Sequence, residues 1–259
     1  MEWALDAVTK TGLSAVELDV RQGKVGSWGD DPASMRRALE KRGLTPWSVH
    51  SPPSGWDLAA DDEQARLKAV RETSESFGPA RDLGADLVVC HCNAPTKPFA
   101  PDDYSAGLAR SRKSMEVLAA QAARAGVRMA VETMISRPQK RPGTRVSEIL
   151  ELISGLGDHV GVCLDTGHSH ASGANVPEEA VRAGRKLFTV HLQDNHGRPD
   201  EDEHLVPGQG NIDWQAVLDA LDGIGFTSPR ILEVNVMEGP EGPRRTLRAL
   251  EDLLRSWQP

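Results

Sequence analysis

The chain has 259 residues, 39% hydrophobic and 26% charged, which excludes long disorder and fits one globular α/β domain spanning 1–259. Its formal net charge of -8 opposes a polyanion such as nucleic acid as a partner, unless bound divalent cations offset the acidic groups locally. No apolar run approaches the roughly eighteen residues of a membrane span, and the N-terminus lacks a signal-peptide core, so no membrane partner is expected.

In chain order, one unit repeats: an amphipathic helix that stops at a glycine, then a short apolar strand. The first helix covers residues 2–11, and the junction after it reads KTGLSAVELDV. Asp31-Pro32 opens the next helix, with the acid as N-cap and proline at the first helical position; it leads to KRGLTPWSVH. Helices opened at Asp61 and Asp102 lead to DLGADLVVCH and RAGVRMAVE. Those opened at Thr144 and Pro177 lead to GLGDHVGVCLD and RAGRKLFTVH. The helix opened at Asp213 leads to IGFTSPRILEV, and a last one covers 241–257. Gly12, Gly43, Gly84, Gly126, Gly157, Gly184 and Gly225 hold the stop positions, where a left-handed residue without Cβ is favoured.

Strands that are apolar along their whole length suit a parallel sheet covered on both faces, with right-handed crossovers. Eight such units close a barrel. About eight helices but only seven strands are counted, so the expectation is a (β/α)8 TIM barrel lacking its first strand, through a late start codon or a shortened chain. The alternative is that Met1–Asp6 is itself a short strand. The three cysteines, Cys90, Cys92 and Cys163, lie in strand-like runs, as expected of free thiols in a cytoplasmic protein.

The polar residues are placed one-sidedly. His50, His91, Glu132, Asp165, His191 and Glu233 each end a strand, on the rim where barrels carry their active sites. One such histidine is ordinarily a satisfied core residue. Six converging imidazoles and carboxylates are costly without a cation, because each charge loses hydration. Imidazole with carboxylate suits zinc, manganese, iron or cobalt. His168 follows Asp165 by three residues in DTGH, and Asp202 and His204 form a D-x-H pair before a PGQG turn. Alone, Asp202 reads as part of a solvated DEDE run.

The segments SVHSP, LVVCH, AVE, GVCLDTGHSHASG, VHLQDNHG, DEHLVPGQGNIDW and ILEV, in this order, resemble the xylose isomerase-like barrel superfamily. That group includes sugar-phosphate isomerases and epimerases, inosose dehydratase and endonuclease IV. The resemblance covers residues 16 to 235, and its specific parts are the DTGH and D-x-H…PGxGxIDW segments. In its epimerase-like members it implies one metal on Glu132, Asp165, His191 and Glu233, with Glu132 and Glu233 moving protons on opposite faces of a sugar. In endonuclease IV it implies three zinc ions, on those four residues together with His50, His91, His168, Asp202 and His204. The same nine residue types also recur among the sugar enzymes. HCNAP and ETMIS depart from the turns common after the second histidine and first glutamate.

Further candidates line the same rim. Trp28 and Trp56 stand in early βα loops, as a substrate wall or as local packing. The loop SRPQKRPGTR carries Arg137, Lys140, Arg141 and Arg145, which would hold a substrate phosphate or remain solvated. His196 and Arg198 are substrate-contact candidates after the strand ending at His191. The expected activity is a sugar or sugar-phosphate isomerase or epimerase using zinc or manganese, or cobalt, with one to three ions and a small carbohydrate substrate. The alternatives are an endonuclease IV-like phosphodiesterase acting on abasic DNA, an inosose dehydratase-like lyase and a non-catalytic metal- or sugar-binding barrel. A homo-oligomer is compatible with the sequence.

Overall fold

Seven parallel strands form one sheet in sequence order: β1 (Ala15–Asp19), β2 (Thr45–His50), β3 (Leu87–His91), β4 (Arg128–Glu132), β5 (Val160–Asp165), β6 (Leu187–Leu192) and β7 (Arg230–Leu232). The structure, a computed structural model, describes residues 2–20, 28–52, 57–93, 103–136, 141–199 and 201–257. Among them, β1 and β7 approach within 8 Å between Cα atoms, so the sheet curls into a nearly closed barrel. The fold is the parallel (β/α) barrel, with seven strands among the described residues. Glu2–Thr11 is a helix, α1, which overturns a strand over the first six residues.

The period of two along each strand builds the interior. Leu87, Val89 and His91 share one face of β3, and Arg128, Ala130 and Glu132 share one face of β4. Gly161, Cys163 and Asp165 do so in β5, and Thr189 with His191 in β6. Leu87, Val89, Ala130 and Cys163 pack as a small apolar layer against Trp47 and Phe188. The alternate residues, such as Val88, Val131, Val162 and Val190, join the larger outer core under the helices.

Two register shifts shape the floor of the barrel. Pairing skips Trp47 between Val16↔Pro46 and Glu17↔Ser48, and skips Phe188 between Val162↔Leu187 and Cys163↔Thr189. These bulged residues contact the interior layer, and the Trp47 indole N–H donates to Thr189 Oγ1 at 3.2 Å. The Arg128 guanidinium lies 5.8 Å from the Trp47 ring centroid and 5.1 Å from that of Phe188. Gly161 leaves room for the plug, since a Cβ there would meet Phe188 ring atoms at 2.6 Å.

The helices are α2 (Pro32–Glu40), α3 (Glu63–Ser74), α4 (Phe77–Leu83), α5 (Tyr104–Ala125), α6 (Val146–Ile153), α7 (Thr166–Ala171), α8 (Val176–Ala183), α9 (Trp214–Gly223) and α10 (Gly242–Ser256). All seven predicted stop glycines have positive φ, and Gly84 and Gly126 are the C-caps of α4 and α5. Some starts differ from the sequence reading. Asp62, not Asp61, caps α3, because its carboxylate accepts the Ala65 N–H. Asp103 precedes α5, and Asn175 caps α8 through the Glu178 N–H. The DTGHSHA segment is a further short helix, α7, initiated by the Asp165 side chain accepting the His168 N–H at 2.6 Å.

Candidate metal centre

Strand register brings the polar strand ends into one layer above the apolar one. His91 pairs with Glu132, Asp165 with His191, and Asp19 with His50. Three donor sets result, each with ligand atoms within 4.8 Å of one another: His50, His91 and Glu132; Glu132, Asp165, His191 and Glu233; and His168, Asp202 and His204. All nine residues singled out in the sequence therefore meet at the carboxyl end of the barrel. Glu132 is the hinge of the cluster, with His50 Nε2 at 2.9 Å, His91 Nε2 at 3.1 Å, His168 Nδ1 at 3.3 Å and His191 Nδ1 at 3.4 Å.

The histidine tautomers test whether these residues fit a cation. His50 Nδ1 meets the Ser51 carbonyl at 2.6 Å, His168 Nδ1 the Thr133 carbonyl at 2.9 Å and His204 Nδ1 the Glu233 carbonyl at 2.9 Å. A carbonyl only accepts, so each Nδ1 carries the hydrogen. Each Nε2 then faces a carboxylate: His50 towards Glu132, His168 towards Asp202 at 3.2 Å and His204 towards Asp202 at 3.1 Å. A neutral imidazole would set its lone pair against an anion there. A second proton resolves this, and so does a divalent cation held by both partners.

His191 makes the same point differently. Its ring nitrogens lie 2.8 Å from Glu233 Oε2 and 3.0 Å from Glu17 Oε1, yet neither nitrogen makes a hydrogen bond among the described residues. The oxygens are near but off the N–H line, and His191 is fully buried. These residues fit a divalent cation in donor type, convergence and tautomer.

The electrostatics of the cluster favour charged imidazoles beside its carboxylates. Burial opposes charging His50, but its hydrogen bond and attraction to Glu132 outweigh that and lift it to about 9. His204 is likewise lifted to about 9 against burial, by Asp202. Burial, with repulsion from Glu233 and Glu132, pushes Asp165 up to about 6 despite His168 and His204. Burial would raise Glu233 too, but His191 brings it down to about 2. Glu132 is held well below the carboxylate range, because His191, His91 and His168 outweigh its burial.

Three residues of the site were missed in the sequence. Glu17 lies mid-strand in β1, touching His191 and accepting from Ser48 Oγ at 2.6 Å. Gln193, just past β6, donates from its amide to Asp165 and Asp202. Asp194 holds the following loop: it accepts from the backbone N–H groups of Asn195, Gly208 and Ile212 and from the Trp214 indole. That loop carries His204, the one non-glycine residue with positive φ (48°) among the described residues. The strained backbone aims the ring at Asp202 and at the Glu233 carbonyl. Alternation marks Glu17 as facing the same way as Asp19, the signal that was available.

The remaining candidates divide. Trp28 is buried in the outer core and donates its indole N–H to the Asp19 carbonyl at 2.9 Å, the packing alternative for that residue. His196 pairs with Glu203 at 3.0 Å and Arg198 with Glu201 at 2.9 Å, both on the rim and outside the three donor sets. Arg141 is buried against Asn93, and Arg145 donates to the Thr144 and Ser172 carbonyls. Trp56, Arg137 and Lys140 lie outside the described residues.

Fold and site together define a parallel (β/α) barrel whose carboxyl-end mouth gathers imidazoles and carboxylates of the kind that hold divalent cations. Residues 5–256 match the xylose isomerase-like TIM barrel family model, and the chain belongs to that family. An uncharacterised protein of Mycobacterium tuberculosis H37Rv is 29% identical over 97% of this chain and 90% of its own length. The inosose isomerase of Bacillus velezensis is 28% identical over 64% of this chain and 59% of its own length. Among solved structures, 3-keto-D-glucoside 4-epimerase from E. coli superposes with a TM-score of 0.82 at 18% identity, over 98% of this chain and 94% of that one. The IOLI protein with a bound zinc atom gives 0.78 at 23% identity, over 99% and 90%.

Proposed function

We propose that this chain is a metal-dependent sugar isomerase or epimerase in which Glu132 and Glu233 move the proton. The observation that carries the reading is the four-donor set, Glu132, Asp165, His191 and Glu233, delivered by four strand ends to within 4.8 Å. A divalent cation bound there, zinc, manganese or cobalt, would act as a Lewis acid on a sugar carbonyl and its neighbouring hydroxyl, acidifying the carbon between them. Glu132 lies deep, enclosed by four imidazoles, whereas the Glu233 side chain is 39% exposed towards the mouth. The two carboxylates thus differ in access, which suits one for the protected side of a bound sugar and the other for the open side. Both are held ionised at neutral pH, as a base must be.

The likeness to an inosose isomerase, to a sugar epimerase fold and to a zinc-bound barrel supports this reading. Arg141 and Arg145 are engaged within the protein, which leaves Arg137 and Lys140 as the basic loop's remaining candidates for a substrate phosphate. The test is incubation in D2O with a panel of ketoses and ketose phosphates, with manganese, cobalt or zinc. Deuterium incorporation at one carbon of a substrate is expected. No incorporation from a metal-loaded protein across the panel overturns the reading.

The nine donors in three sets favour one second reading, a zinc phosphodiesterase acting on abasic DNA. Cleavage of an abasic duplex by protein holding three zinc ions, with no ketose turnover, would establish it.

A further inference from the structure

Gln193 stands one residue beyond β6 and is fully buried. Its amide nitrogen lies 3.2 Å from Asp165 Oδ1, 3.4 Å from Asp165 Oδ2 and 3.2 Å from Asp202 Oδ1. Asp165 belongs to the four-donor set and Asp202 to the set with His168 and His204. One amide therefore spans two donor sets. An amide nitrogen carries two hydrogens, one for each carboxylate.

The orientation of this amide is set by chemistry. Turning it over would press its carbonyl against two carboxylates, while Oε1 as placed is buried with no hydrogen-bond partner among the described residues. That oxygen lies where a side chain on residue 167 would begin: a Cβ on Gly167 would sit 2.0 Å from it. The glycine of DTGH is thus accounted for by the glutamine that reaches over it. Gln193 is anchored on the sheet, while Asp202 comes from the loop beyond it, so the amide also ties that loop to the barrel rim.

We propose that Gln193 is a positioning residue that couples the two donor sets, orienting Asp165 and Asp202 for cation binding through a single amide. The proposal rests on the metal-dependent reading above. Gln193 acts through the two carboxylates it touches, so its signature is in metal binding before it is in turnover. Carboxylates released from such an outer partner bind metal about 10- to 100-fold more weakly.

The full chain, stripped of metal, is titrated with Co2+ by calorimetry and by its visible ligand-field spectrum. Gln193→Leu keeps the bulk and removes the donor; Gln193→Met serves if that variant does not fold. The expected result is Co2+ binding about 10- to 100-fold weaker at the four-donor set, with an altered spectrum. Coupling is read by adding Asp202→Ala. In the wild-type background this change shifts the affinity and spectrum of the four-donor set; in the Gln193→Leu background the shift is smaller, because the contact of His168 with Glu132 still joins the two sets. Wild-type affinity and spectrum in folded Gln193→Leu, or an equal effect of Asp202→Ala in both backgrounds, overturns the coupling. A wild-type chain that takes up no Co2+ overturns instead the metal reading beneath it.

Discussion

Asp194→Asn isolates the device that holds the loop behind the site. Asp194 is fully buried and accepts four N–H groups, from Asn195 at 2.9 Å and Ile212 at 3.2 Å on Oδ1, and from Gly208 and the Trp214 indole, both at 2.8 Å, on Oδ2. An asparagine keeps the shape but turns one oxygen into a donor, so two of those four N–H groups face an N–H instead of an acceptor. Hydrogen bonds to a charged group contribute about 1.5–3 kcal/mol each, which puts the loss at about 3–6 kcal/mol. That is a large share of the roughly 5–15 kcal/mol by which domains are stable. In a chain of this size it lowers the midpoint of thermal unfolding by on the order of 10 °C. Urea unfolding followed by tryptophan fluorescence measures the loss, and limited trypsinolysis at Arg198 reads the loop itself. An Asn variant within 1 kcal/mol of wild type, with a loop no easier to cleave, would falsify the assignment of Asp194 as the loop's anchor.

Three other outcomes are expected. Glu233→Gln lowers turnover about 10²- to 10⁴-fold as a proton-transfer group is lost; full activity with metal still bound removes it from the chemistry. Gly167→Ala puts a methyl 2.0 Å from Gln193 Oε1 and costs about 1–3 kcal/mol through overpacking. Thermal unfolding indistinguishable from wild type would mean that the amide does not lie over residue 167. Cation binding releases protons at pH 7, because neighbouring carboxylates lift His50 and His204 to about 9 and hold His168 and His191 well above the usual imidazole value, and only neutral imidazole binds metal. Affinity therefore rises as pH rises from 7 through about 9. Titrations in buffers of different ionisation heat count the protons, and a count of zero contradicts the histidines as ligands.

The parts of the site legible in the sequence were those at punctuated positions. His91, Glu132 and Asp165 close apolar runs, and a polar residue closing such a run has nowhere to go but the rim. Asp202 was legible only through its D-x-H partner, since its own neighbourhood reads as a solvated acidic run. Glu17 was legible only through its alternation with Asp19, a weak signal because an acid inside AVELD also fits a strand with one wet face. The structure shows β1 half-buried along its length, where β5 is buried throughout. Gln193 and Asp194 were hidden for another reason. Their partners, Gly167, Asp202, Gly208 and Trp214, are scattered along the chain, and only the fold brings them together. The extra helix α7 escaped notice because its six residues are too few for periodicity to show, although its N-cap, Asp165 accepting the His168 N–H three residues on, is a local signal.

The plug of Trp47, Phe188 and Arg128 has a bearing on traffic through the barrel. With those side chains packed at that end, a small molecule would reach the donor sets from the opposite rim. Departure of one ligand and arrival of the next would then use the same face of the barrel, so access at that rim would bear on both exchange and the size of ligand admitted. Selectivity in this scaffold could accordingly be retuned at the entrance while the donor carboxylates stay untouched.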